Sequence, residues 1–201
     1  MIRTILIVLV IVGGIWIGYP HFTMPTQSAI QPEPWETLIG KPAPEWSIEN
    51  WVNSEPISIS DLRGKVVLIR WWLESCPYCQ ASAPALNEFF DAYKDQGLVV
   101  IGMYHEKPMG RNVTAENVRQ FAEIKGFEFP IAIDHQWHTL RKFWPPDIEM
   151  NFTSVSFLID KEGTINHIHP GGSYNIDSQP FNDPQWRRDY FELKSRIEEL
   201  L

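Results

Sequence analysis

The chain has 201 residues, a hydrophobic share of 44% rich in aromatic side chains, and 21% charged residues, enough apolar material for one packed domain and unlike a disordered segment. Its formal net charge of -8, with no run of Lys or Arg, excludes the electrostatics of a nucleic-acid binder. No acidic block stands out either, so the charge reads as a solvated surface.

The N-terminus, MIRTILIVLVIVGGIWIGYP, has one charged side chain, Arg3, ahead of an apolar run from Ile5 to Ile17. That length falls between a spanning helix of about 20 apolar residues and a cleaved signal core of about 7 to 15. No A-x-A cleavage pattern follows, and Trp16 and Tyr19 sit where interfacial aromatics anchor a span. Residues 1–19 are expected to form a single N-terminal membrane helix, an uncleaved signal anchor, with a cleaved signal peptide as the alternative. With Arg3 on the cytoplasmic side, everything after Tyr19 is extracytoplasmic, and periplasmic in a double-membrane bacterium. Residues 20–44 hold six prolines and no sustained hydrophobic period, which suits an extended linker with no fold of its own.

The folded domain is expected over 45–201. ISISDL alternates, and GKVVLIRWWL and GLVVIGMYH are continuous apolar runs of the kind found in buried parallel strands. Between the two runs, residues 77–94 have helical spacing, with Ala81, Leu86, Phe89, Phe90 and Tyr93 on one face and Gly97 as a stop signal. Thr114 suits the N-cap of a helix TAENVRQFAEIKG that Gly126 ends. A short strand FPIAI and a helix around His135 to Phe143 come next. SVSFLIDKEGTINHIH then reads as an antiparallel hairpin turning on Asp160 to Gly163. A terminal amphipathic helix from about Pro184 places Trp186, Tyr190, Leu193, Ile197 and Leu200 near helical spacing. The order β-α-β-α-β-α-β-β-α predicts a three-layer α/β domain around a mixed central sheet. Trp71, Trp72, Trp137 and Trp144 are assigned to the core.

The two cysteines of the chain, Cys76 and Cys79, stand in CPYC at the junction of a buried strand and a helix. With Cys76 as N-cap and Pro77 as the first helical residue, the Cys76 sulfur faces unpaired backbone N–H groups and the positive end of the helix dipole. A thiolate is stabilised there, and the thiolate is the nucleophile of disulfide exchange. As a purely structural disulfide, so short a loop would contribute little entropic stabilisation.

Together with its flanks the motif resembles the thioredoxin superfamily, specifically the membrane-anchored, TlpA-like thiol-disulfide oxidoreductases. The resemblance runs over roughly residues 41–172 and rests on GKPAPEWSI, SISDLRGKVVLIRWW, CPYC, Pro84 and SFLIDKEGTI. It implies a thioredoxin-like fold and an extracytoplasmic location, with Cys76 as the exposed nucleophile and Cys79 as the resolving thiol. The partners it implies are protein thiols or disulfides, apocytochrome thiols among them, and an upstream redox partner. No cofactor and no metal are expected.

Four positions depart from the family's pattern. Ser75 replaces the Trp before the first cysteine. Arg70 falls where thioredoxin carries a buried acid; pointing at the sulfurs it would favour the thiolate and make the pair more oxidising, but strand alternation makes a placement away from them, against a carboxylate, the expectation. Ser82 replaces a Glu beyond the second cysteine; Glu74, the nearest acid in sequence, is a candidate substitute proton carrier or, equally, a solvated residue at the strand end. Ser154 replaces the cis-proline, so a trans Thr153–Ser154 bond is expected, with both hydroxyls facing Cys76. Tyr78 is the aromatic placed at the substrate.

Other readings remain beside this one. A peroxiredoxin would need a Thr or Ser where Leu73 stands and an Arg near Ser154. A tetrahedral metal site would add His167 and His169 to the cysteines. His105 reads as a loop residue. A redox-inactive binding module that keeps the fold is the reading from a different class.

Overall fold

The computed structural model describes residues 33–177 and 182–201, so the expected membrane helix over 1–19 and the first part of the linker lie outside the described residues. Among the described residues no helix is long and apolar enough to cross a membrane. The sheet comprises β1 (Trp51–Val52), β2 (Val66–Trp72), β3 (Leu98–Tyr104), β4 (Ile131–Ile133), β5 (Ser156–Ile159) and β6 (Ile165–His169), in the spatial order β1-β4-β3-β2-β5-β6. Strands β2, β3 and β4 run parallel, while β1, β5 and β6 pair antiparallel to their neighbours. The helices are α1 (Pro77–Tyr93), α2 (Ala115–Lys125), α3 (Leu140–Phe143) and α4 (Pro184–Leu200). This is the mixed α/β sheet that the element order implies.

Every residue of β2 is buried, as its unbroken apolar run requires of a central strand covered on both faces. The pleat divides them. Val67, Ile69 and Trp71 enter one core with Phe143 and Phe157, while Val66, Leu68 and Trp72 enter the other with Leu86 and Phe89 of α1 and Tyr190 and Ile197 of α4. Burial of each such side chain contributes on the order of 1.5–3 kcal/mol, so these two layers carry most of the stability. Trp71 is satisfied at its indole N–H by Asp134, which also accepts from the backbone N–H groups of Thr139 and Leu140. The four tryptophans assigned to the core pack there, with Trp137 half-buried.

Local capping matches the sequence. Thr114 Oγ1 accepts from the Asn117 N–H, the Asn117 side chain accepts back from the Thr114 N–H, and Gly126 ends α2 at a left-handed φ of 66°.

The alternating ISISDL, which the element order leaves out, forms no strand: Ser58 bonds Asp61 through both its backbone N–H and its hydroxyl, and Ser60–Leu62 is a 3-10 turn. Such short side-chain bonds compete with a ladder. The sheet's edge is Trp51–Val52, a strand absent from the expected order. One local expectation is corrected: the linker expected over 20–44 is too long, because from Pro34 its residues pack on the domain. Pro34–Leu38 is a 3-10 helix, Leu38 and Ala43 are buried, Gly40 N–H donates to Ile165 O, and Ala43 N–H donates to Gly163 O.

Candidate active site

Strand β2 ends at Trp72, and the chain turns through Leu73, Glu74 and Ser75 into α1. Cys76 is the N-cap in an extended conformation, Pro77 is the first helical residue, and the Cys76 Sγ accepts the Cys79 N–H at 3.2 Å. Proline costs nothing at that position because its missing donor would have had no helical partner. Cys76 is half-buried, Cys79 is buried one turn further on, and both are free thiols.

The two thiols differ sharply in acidity. The Cys79 side chain, the Cys79 backbone N–H and the positive charge of Arg70 outweigh burial at Cys76 and lower its pKa to about 6. Burial, reinforced by the hydrogen bond with Cys76, raises Cys79 well above the ordinary thiol range. At neutral pH the arrangement is one accessible thiolate beside one buried thiol, the protonation state disulfide exchange requires.

Arg70 does not turn away to a carboxylate. It shares the parity of Leu68 and Trp72 and so lies on the α1 face of β2, buried, with 1% of its surface exposed. Its Nη1 donates to Ser156 Oγ at 3.2 Å, and its Nη2 donates to Gly172 O at 2.7 Å and to Ser82 Oγ at 3.3 Å. The guanidinium lies over the Tyr174 ring, 4.9 Å from its centroid. Ser82, in the family's Glu position, is wholly buried; it donates to Tyr78 O and pairs with the Ser173 hydroxyl. Ser156, Gly172, Ser173 and Tyr174 escape sequence reasoning: PGGSYN reads as a loop, and the register that sets Ser156 against Arg70 is not written in either strand.

Glu74 is not positioned as a free proton carrier. Its carboxylate accepts from the Tyr104 hydroxyl at 2.6 Å and from Arg111 Nη2 at 2.5 Å. Partial burial pushes its pKa up, but the Tyr104 hydroxyl and Arg111 outweigh this and hold it below the usual carboxylate range.

Beside Cys76 lies a cavity of about 260 Å³ lined by Tyr78, Lys107, Phe152, Thr153 and Ser154 among others. Ser154 is buried and Thr153 half-buried, while Ser75 and Pro77 are exposed. Among the described residues the cis bond is Lys107–Pro108, so Thr153–Ser154 is trans, as expected without proline. Tyr78 packs edge-on against Phe152 at 5.5 Å and Trp186 at 6.1 Å. Leu73 is buried and brings no hydroxyl to the position a peroxidatic site would need.

The histidines go elsewhere. His169 Nε2 lies 3.1 Å from Asp189 on α4 and His167 faces Glu192, so neither completes a set with the cysteines. Among the described residues no group of three or more His, Cys, Asp or Glu side chains could hold a metal ion. His105 lies in the loop that follows β3, as expected, but is buried there against Trp137, and burial lowers its pKa to about 4.

A central mixed sheet with a C-x-x-C pair capping the helix after its middle strand defines a thioredoxin-like protein. The chain belongs to the AhpC/TSA family, whose pattern matches residues 39–168. Among similar proteins, it is 37% identical over 137 residues to Protein DipZ of Mycobacterium tuberculosis, a match covering 64% of this chain and 18% of that protein. The chain thus spans about a fifth of the DipZ length. It is 30% identical over 171 residues to the thiol-disulfide oxidoreductase ResA of Geobacillus kaustophilus, covering 85% of this chain and 86% of that one. A thiol-disulfide isomerase from Corynebacterium glutamicum shares the fold with a TM-score of 0.61 at 24% identity, over 79% of this chain and 96% of that chain.

Proposed function

We propose that this chain is a thiol-disulfide oxidoreductase that exchanges disulfides with protein thiols through CPYC, with Cys76 as nucleophile and Cys79 as resolving thiol. The observation that carries the reading is the Cys76 sulfur at the α1 N-cap, accepting the Cys79 N–H while Cys79 itself is buried. The relatives named as thiol-disulfide oxidoreductases support it. In the reducing direction the Cys76 thiolate attacks one sulfur of a substrate disulfide; an S–S bond forms as the substrate's breaks, and the departing thiolate takes a proton from solvent. Cys79 then gives up its proton and attacks the Cys76 sulfur, releasing the second substrate thiolate and leaving the Cys76–Cys79 disulfide. Two electrons have passed to the substrate, and the reverse sequence oxidises a substrate dithiol.

In this reading substrates enter the cavity beside Cys76, whose walls include Tyr78, Thr153 and Ser154. The domain works on the extracytoplasmic side, held to the membrane by residues 1–19, and exchanges electrons with an upstream redox partner. The apolar run from Ile5 to Ile17 supports that location.

The test is reduction of insulin by dithiothreitol, with and without the soluble domain. Wild type accelerates it and Cys76→Ser does not; reduced Cys79→Ser, freed of dithiothreitol and mixed with insulin alone, accumulates a mixed disulfide that added reductant dissolves. A wild-type domain that neither accelerates the reaction nor yields a trapped adduct in Cys79→Ser overturns the reading.

A further inference from the structure

Arg70 is a buried cation in a layer that offers it no anion. Three neutral oxygens hold it, Ser156 Oγ, Ser82 Oγ and Gly172 O, and the Tyr174 ring lies beneath it. Among the described residues it makes no ion pair; Glu74 is engaged by Arg111 and Asp189 by His169. A buried charge without a partner is costly, and neutral dipoles repay only part of that cost. The anion that can repay the rest is the thiolate of the reduced cysteine pair. Ser82, on the helix turn that follows Cys79, ties the guanidinium to α1 beneath the motif, and the positive charge acts on both sulfurs in the direction that favours ionisation. The disulfide form is neutral and offers the cation nothing.

We propose that Arg70, positioned by Ser156, Gly172 and Tyr174, is the fixed counter-charge of the reduced Cys76–Cys79 pair, and that it poises the pair to accept electrons from substrate dithiols. This rests on the oxidoreductase reading and gives it a direction. The step balances. A substrate dithiol gives up two electrons and two protons as its own disulfide forms; the Cys76–Cys79 bond breaks, Cys79 takes one proton, Cys76 stays a thiolate opposite Arg70, and the second proton goes to solvent. Exchange with a second, more oxidising protein disulfide closes the cycle. Arg70 touches neither substrate nor leaving group and is a positioning residue that acts through the sulfurs.

The test is equilibration of the soluble domain with glutathione buffers of graded ratio at pH 7, with the oxidised fraction read by thiol alkylation and mass shift. Arg70→Gln shifts the equilibrium toward the disulfide by about threefold to tenfold, tenfold corresponding to about 30 mV, and Arg70→Lys restores most of the wild-type value. The absorbance of the Cys76 thiolate, titrated in the same proteins, moves to higher pH in Arg70→Gln and not in Arg70→Lys. Ser156→Asp leaves Arg70 in place but sets a carboxylate against it; it reproduces the Arg70→Gln shift and serves where the latter does not fold. If either folded neutralising variant matches wild type within about twofold, the counter-charge proposal is overturned while disulfide exchange stands. A wild-type domain that forms no disulfide in any buffer overturns the oxidoreductase reading itself.

Discussion

Arg70 stands directly across the β2–β5 ladder from Ser156 and donates to its hydroxyl at 3.2 Å. Ser156 in turn faces His169 on β6 and lies 3.1 Å from the Tyr174 hydroxyl. A polar row therefore crosses the sheet beneath α1, inside an otherwise apolar layer. Ser156→Ala removes a hydrogen-bond acceptor from a buried cation and is expected to cost about 1–3 kcal/mol, read as a lower urea midpoint at unchanged slope. A change below a few tenths of a kcal/mol would show that water or Gly172 O carries the guanidinium alone.

Reactivity with iodoacetamide should follow the ionisation of Cys76. The rate for the reduced protein rises with pH through about 6 and levels off by about pH 7.5, with Cys79 protected by burial. The same shift is a stability statement. Because the folded value lies below that of an unfolded thiol at about 8.5, the Cys76 contribution is present in full above about pH 8.5 and is lost as pH falls through about 6. Reduced wild type should therefore lose stability relative to Cys76→Ser on acidification across that window; a parallel pair of curves would contradict it.

Asp134 is the acceptor for three buried donors, Trp71 Nε1 and the N–H groups of Thr139 and Leu140. Asp134→Ala orphans all three and should destabilise the domain by roughly 3 kcal/mol or more, since each buried donor left unmade costs about 1–3 kcal/mol. Thermal unfolding checks this, and a loss under 1 kcal/mol would mean that the loop refolds around the gap.

Gly171 faces Phe152, which lines the Cys76 cavity and packs on Tyr78. A Cβ at position 171 would overlap the Phe152 side chain, and the backbone there, at φ 149°, lies in a region that L side chains rarely adopt. Gly171→Ala should displace Phe152 and raise the KM for a protein disulfide several-fold while the iodoacetamide rate of Cys76 stays within about twofold. Equal losses in both would point to general unfolding.

Glu74 is held below the usual carboxylate range although partial burial works against it, because Tyr104 and Arg111 bind its oxygens. A depressed carboxylate contributes stability that is present above its unfolded value near 4.5 and lost as pH falls through its lower folded value. Glu74→Gln should lower stability at neutral pH and flatten the acid limb of the stability curve below about pH 4.5. An unchanged acid limb would reassign the effect to other carboxylates.

Features that depend on contacts close in sequence were legible from the residues alone. The strand, helix, strand run around CPYC, the Thr114 and Gly126 caps and the hairpin turning at Asp160 to Gly163 all appear where periodicity and turn chemistry place them. The face chosen by Arg70 was not legible. A strand buried on both sides carries no polar alternation to mark its two faces, so Arg70 could be assigned to either until Trp71 and Trp72 were seen in opposite cores. The packing of Leu38 and Ala43 was hidden for a different reason. Prolines around them imitate a tether, while the bonds that hold the segment come from Gly163 and Ile165, more than a hundred residues away.

Gly172, whose carbonyl makes the shortest of Arg70's hydrogen bonds, lies 102 residues after it in the chain. On a ribosome the two thiols emerge long before that carbonyl exists. Helix α1 can form early and supply its own share of the Cys76 ionisation, but the share owed to a seated Arg70 arrives only once the segment after β6 has been made and docked. Cys76 therefore reaches its full ionisation only as the last elements close over the cation, while Cys79 passes from an ordinary accessible thiol to a buried one.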